Sequence, residues 1–230
     1  MSFLENRKLL AQGVIGQVGN DLGVAIRIKV LTGAGAVTSV TTTTATNIVI
    51  ITANGSTETY AFATYATVGA LADAINASAY TECKVLDTVR SEETATQFVT
   101  GVITAGVVDG ITVYDVLADT STCDYVAYRL TNDRNVGSNK PKGSHRVHVQ
   151  EIVTDVTLGA TTANGLKIYE VDGTTETVVY QATATSGSSA TINWASGEGK
   201  ITAKDGNDLV VKLTDGTSVT GTLTVTGERE

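Results

Sequence analysis

At 230 residues and 42% hydrophobic content, the chain is long enough for one large domain or two small ones with proper cores. A net charge of −8, with no run of basic residues, argues against a general nucleic-acid surface, whose affinity comes from clustered Lys and Arg. Aromatic residues at 5% are too few for a stacking platform, and no stretch nears the ~18 consecutive apolar residues of a membrane-spanning helix.

Thr and Val are abundant, and β-branched side chains favour pleated surfaces, so the bias is toward strands. In the leader, Ser2 and Glu5 fit a capping box, predicting a short helix through about Ala11. Phe3, Leu4, Leu9 and Leu10 would lie along one side of it. That side either packs on the protein's own core or docks as an arm on a neighbouring subunit. Glu5, Asn6, Arg7 and Lys8 break any secretory-type apolar core, so assembly in a reducing cytoplasm is expected. Cys83 and Cys123 form no C-x-x-C motif. They are either a disulfide or two buried thiols, and the reducing setting favours thiols.

From Gly23 to Leu31, Val24, Ile26, Ile28 and Val30 alternate with Arg27 and Lys29, the pattern of a half-buried strand. Asn54-Gly55 predicts a hairpin between strands at 47–53 and 56–64, because Asn-Gly supplies positive φ. The Thr run 41–44 reads as an exposed strand edge or loop. Thr67 is a plausible N-cap for a helix to Asn76, with Val68, Leu71 and Ile75 on one face. Strands at 82–89 and 97–103 are joined by the charged turn Ser91-Glu92-Glu93, and strands at 109–117 and 124–130 follow. The polar segment 131–144, holding the single proline, Pro141, reads as a linker.

Beyond it, RVHVQEIVTDVTL, GLKIYEV, TETVVYQA, ATINW, KITAK, DLVVKLT and SVTGTLTVTG read as strands. Asn164-Gly165, Asp172-Gly173, Asp205-Gly206 and Asp215-Gly216 fall between them as turns. The expected fold is mainly β: an N-terminal arm (1–22), an α+β antiparallel sheet module with one helix (23–136), a linker (137–145) and an antiparallel β-sandwich or barrel (146–230).

Reactive chemistry is sparse. His145 and His148 are three apart, so a strand puts them on opposite faces and they cannot chelate one ion together. Asp205-Gly206-Asn207-Asp208 lacks EF-hand spacing and reads as a turn. Gly187-Ser188-Ser189 is not a nucleophile elbow, and Gly197-Glu198-Gly199-Lys200 is not a phosphate loop. No enzyme, cofactor or metal site is expected. Recognition through surfaces is the remaining reading.

The patterns TLGATTANGLKIYEVDG, ATINWASGEGKITAKDGNDLVVKLTDG and TGTLTVTGERE resemble small β-rich virion proteins of tailed bacteriophages, above all head decoration (capsid cement) proteins. That resemblance implies a non-catalytic protein on the capsid surface, bound to the major capsid protein lattice as a homotrimer or homodimer. Phe3, Leu4, Leu9 and Leu10 would then be lattice anchors, with no nucleic-acid or membrane partner. A phage tail component (tube, sheath-associated or fibre) shares the composition. A surface-glycan adhesin would instead cluster Trp194, Tyr169 and Tyr180 on one exposed face, although core packing is the plainer role for Trp194.

Overall fold

The computed structural model describes residues 8–15, 23–31, 37–52, 55–96, 98–108, 110–119, 125–130, 147–158, 162–184, 190–193, 201–204, 206–214 and 219–229. Its strands are β1 (Lys8–Ile15), β2 (Val24–Val30), β3 (Val37–Thr43), β4 (Asn47–Thr52), β5 (Thr57–Ala61), β6 (Thr81–Val85), β7 (Gly101–Ile103), β8 (Ala105–Val108) and β9 (Ile111–Leu117). They continue as β10 (Tyr125–Leu130), β11 (Val147–Leu158), β12 (Thr162–Asp172), β13 (Thr175–Ala184), β14 (Ala190–Asn193), β15 (Ile201–Thr202), β16 (Asp208–Thr214) and β17 (Val219–Arg229). One α-helix, α1 (Val68–Asn76), lies between β5 and β6. The chain is mainly β, its described strands pair antiparallel, and they divide between two compact units.

The unit formed by described residues within 23–119 has two sheets, ordered β6-β2-β9-β8 and β5-β4-β3-β7. The alternation in β2 buries Ile26 and Ile28 completely, while Arg27 reaches Asp115 at 2.6 Å and Lys29 lies 3.5 Å from Glu82. Ile26 and Ile28 share one buried cluster with Val40, Ile48 and Ile50 of the other sheet and Val68, Leu71 and Ile75 of α1. Thr67 caps the helix, its Oγ1 accepting from the Ala70 amide at 3.2 Å. The expected charged turn closes the same end: the amides of Val68 and Gly69 donate to the carbonyls of Glu92 and Arg90, both at 2.8 Å. A Cβ on Gly69 would fall 2.9 Å from Arg90 Cβ, so close packing outweighs the usual helix preference for alanine. Gly69→Ala is therefore expected to lower stability by about 1–3 kcal/mol, read as a lower urea midpoint.

Cys83, buried in this core, has its thiol pushed up by burial, and Tyr60 is likewise raised by burial and by donating to Glu58 at 2.9 Å. A raised folded-state pKa means that the unfolded chain releases its proton first as pH rises. The associated stability is intact below the ordinary values of 9.0 and 10.0 and is lost above them. Denaturation titrations should accordingly give a urea midpoint that declines once pH passes about 9.

The second unit is discontinuous, drawing β1, β10 and the described strands from β11 onward. Its sheets are ordered β1-β17-β11-β14, with β15 also on β11, and β10-β16-β12-β13. Leu130, Leu166, Ile168, Leu209, Val211 and Leu213 of the latter sheet form one buried cluster with Val149, Ile201 and Val225 of the former.

Four expectations change. Residues 8–11 are strand, not helix: β1 pairs with β17 from Lys8↔Gly227 to Ile15↔Gly221. That edge of β17 offers a long row of backbone partners, and pairing along it outweighs a helical continuation through Ala11, while Ser2 and Glu5 lie outside the described residues. Next, β10 is a strand as expected, yet it pairs with β16 rather than within 23–136. This register sets Tyr128 opposite Val211 and Leu130 opposite Leu209, so the domains are not consecutive stretches. Third, Asn164-Gly165 is no turn: Asn164 has φ +55 inside β12, where the register with β13 shifts between Thr162 and Leu166. Positive φ serves a bulge as well as a hairpin. Last, the Thr run 41–44 is exposed only at Thr43 and Thr44, where β3 ends in a turn; β3 is interior to its sheet, and Thr42 is 3% exposed, its Oγ1 donating to the Val99 carbonyl at 2.6 Å.

Other elements follow the sequence closely. The β4–β5 hairpin turns through Gly55 at φ +82, and β12–β13 through Gly173 at φ +59. The expected strands at 82–89 and 97–103 shorten to β6 and β7, the 109–117 strand is β9, and β8, which was not expected, precedes it through a turn at Gly110. The linker 137–145 and Asp215-Gly216 lie outside the described residues. No helix among the described residues is long and apolar enough to cross a membrane.

Candidate functional site

Between Phe98 and Val108 the sequence carries no charged residue, a long gap in a chain of net charge −8. The segment leaves one sheet of the 23–119 unit and joins the other. Its β7 half pairs with β3 (Val40↔Ile103, Thr41↔Val102, Thr42↔Gly101) and its β8 half pairs with β9 (Ala105↔Tyr114 to Val108↔Ile111). Each half ends its sheet's strand order, so among the described strands each has a neighbour on one side only.

Its start is tied to the core. Phe98 is 6% exposed and its ring centroid lies 5.7 Å from that of Phe62. The Val99 amide donates to the Leu117 carbonyl at 3.0 Å, and Thr42 Oγ1 fixes the Val99 and Gly101 carbonyls. In β7, alternation turns Ile103 to the core and leaves Val102 76% exposed, while β8 is exposed from Ala105 through Val107, Val107 at 72%. These are the most exposed large apolar side chains among the described residues. The surface offers edge-strand amides and carbonyls flanked by two valines, which suits strand pairing plus apolar burial. Each valine, once covered, would contribute about 1–2 kcal/mol.

The residues singled out from the sequence are not gathered there. Phe3 and Leu4 lie outside the described residues, and Leu9 and Leu10 belong to β1 of the other unit. His145, Cys123, Trp194 and Gly187-Ser188-Ser189 also lie outside them. His148 sits in β11, opposite Thr202 and Glu228. Tyr180 packs on the second unit's core opposite Ile168, while Tyr169 lies opposite Val178. Around Gly206 the chain does turn: the Lys204 amide and Asn207 Nδ2 both donate to Glu170 Oε1, at 2.7 and 3.1 Å, and Asp208 Oδ2 pairs with Arg129 Nε at 2.8 Å. Those oxygens are engaged by donors of the chain itself. Among the described residues no three His, Cys, Asp or Glu are grouped to hold a metal ion.

Val102 and Val107 were not anticipated. The charge-free run was their only trace, since apolar residues in a strand pattern ordinarily indicate burial. Comparison with models of known protein families gives no match, and comparison with curated proteins gives no significant one.

Proposed function

We propose that the chain is a non-catalytic structural virion protein that binds the outer surface of a tailed-phage capsid and stabilises it. Each unit is read as two antiparallel sheets packed face to face, since each pair of sheets contributes to one buried cluster. The observation that carries the reading is the exposed edge from Gly101 to Val107, from which Val102 and Val107 project. A charge-free edge of this kind meets a repeating protein lattice by adding to its strands and covering two valines. Acidity elsewhere on the chain suppresses indiscriminate self-association. The resemblance of the C-terminal strands to decoration proteins supplies the lattice as partner.

In place of the arm first considered, the lattice contact is assigned to β7 and β8, because Leu9 and Leu10 lie in a strand that completes the chain's own sheet. The test is co-sedimentation with purified shells lacking the chain. Wild type should pellet with them, and a V102D/V107D double variant should bind at least about tenfold more weakly, as charge now sits where desolvation is needed. Equal binding of the two proteins would remove this surface from the account.

A further inference from the structure

Resting on the β7–β8 reading, we infer that the same partner also covers the outer face of the β5-β4-β3-β7 sheet, and meets it with an uncharged surface of its own. The register defines that face. Thr59, Val49, Thr41 and Val102 lie opposite one another in a row across the four strands, and Ile51 lies between Thr57 and Ser39 in the next row. The residues that alternate with them, Val40, Ile48, Ile50 and Tyr60, belong to the buried cluster, so these rows face away from it.

The four strands hold a single charged residue, Glu58. By alternation it shares the side of Tyr60, and its carboxylate accepts from Tyr60 Oη and Ser78 Oγ, both at 2.9 Å. The outer face is therefore free of charge. The companion sheet of the same unit is built differently, its outward positions carrying Arg27, Lys29, Glu82, Lys84 and Asp115. A solvated face ordinarily mixes charges of both signs, whereas the buried centre of an interface is depleted of them.

Three features assign this face to the partner of β7 and β8. Gly101 to Val107 is only seven residues, and a stable interface takes about 20–30 on each side. Next, Val102 belongs both to that edge and to the face, so the face adds to the contact without a break. Finally, a charge-free surface on a chain of net charge −8 offers no counter-charge to a basic partner, so its complement is uncharged.

Thr59 tests the inference because it is exposed on β5, the strand farthest from β7 in this sheet. In co-sedimentation with the same shells, T59K and T59E should both bind at least about tenfold more weakly than wild type, since either sign would be desolvated against an uncharged surface. Exposed Ile51 gives a second position, and I51K should lose binding alike. T177K, at an exposed position of β13 in the other unit, should bind as wild type, and all four variants should keep the wild-type far-UV circular dichroism spectrum. Weakened binding by V102D/V107D together with wild-type binding by T59K, T59E and I51K would overturn the covered face and leave the edge in place. Wild-type binding by V102D/V107D would instead remove the edge, and the face with it. Tighter binding by either Thr59 variant would identify a charged partner and overturn the inference. Sedimentation velocity of the free chain should show no dimer that T59K dissolves; such a dimer would give the face to a second copy and overturn it too.

Discussion

Replacing Asp208 by alanine is expected to lower the free energy of unfolding by about 3–5 kcal/mol, because its ion pair is the most buried one among the described residues. Its carboxylate accepts from Arg129 Nε at 2.8 Å, and the two side chains are only 12% and 9% exposed. Taking the acceptor away leaves the guanidinium in a site from which water is largely excluded. The stabilisation comes from avoiding that state, not from the attraction alone. An R129M/D208L double variant, which removes both charges, should therefore recover much of the loss. The Arg27–Asp115 pair provides the contrast, since Asp115 is 33% exposed and solvent screens it. Asp115→Ala should cost well under half as much. Urea titrations of the four proteins distinguish the cases, and equal losses for Asp208→Ala and Asp115→Ala would contradict the argument from burial.

Ile28→Ala should cost about 2–5 kcal/mol, because it removes a side chain with no exposure from the middle of β2 and leaves a cavity. On either side, β6 and β9 pair with the same residue at Cys83 and Tyr114, so the backbone has little freedom to close the gap. The two buried clusters share no residue. Hydrogen exchange read by peptide should show protection falling within 23–119, with the strands from β11 to β17 unchanged. Loss spread equally over both units would show that they unfold as one.

The sequence revealed what depends on neighbours along the chain. The alternation of Ile26 and Ile28, the cap at Thr67 with Leu71 and Ile75 behind it, and the turn glycines Gly55 and Gly173 could all be read directly. Each is local chemistry with one structural outcome. Partner choice could not be read. A period of two says which side chains of β10 share a face, but it does not say that the face meets β16 across some eighty residues of sequence. The leader misled for a related reason: a capping box is local, while the open edge of β17 that recruits β1 lies at the far end of the chain. Asn164-Gly165 misled differently, since its positive φ is a real signal whose product was a bulge rather than a reversal.

The candidate surface was the least legible part. Val102 and Ile103 are adjacent, β-branched and apolar, yet one is 76% exposed and the other packs on the core. Adjacent residues of a strand point to opposite faces, but which face meets the core is set by what packs on the sheet and not by the residues themselves. The same holds for Val178 and Val179, which sit in a strong strand pattern but on an outer strand.

Electron cryo-microscopy of tailed-phage virions carrying the chain tests the account most directly. The account predicts ordered density for it on the outer face of the capsid shell, with β7 and β8 against the major capsid protein, and shells that rupture at lower temperature when it is removed. Density confined to the tail, or capsids of unchanged stability without the chain, would contradict it.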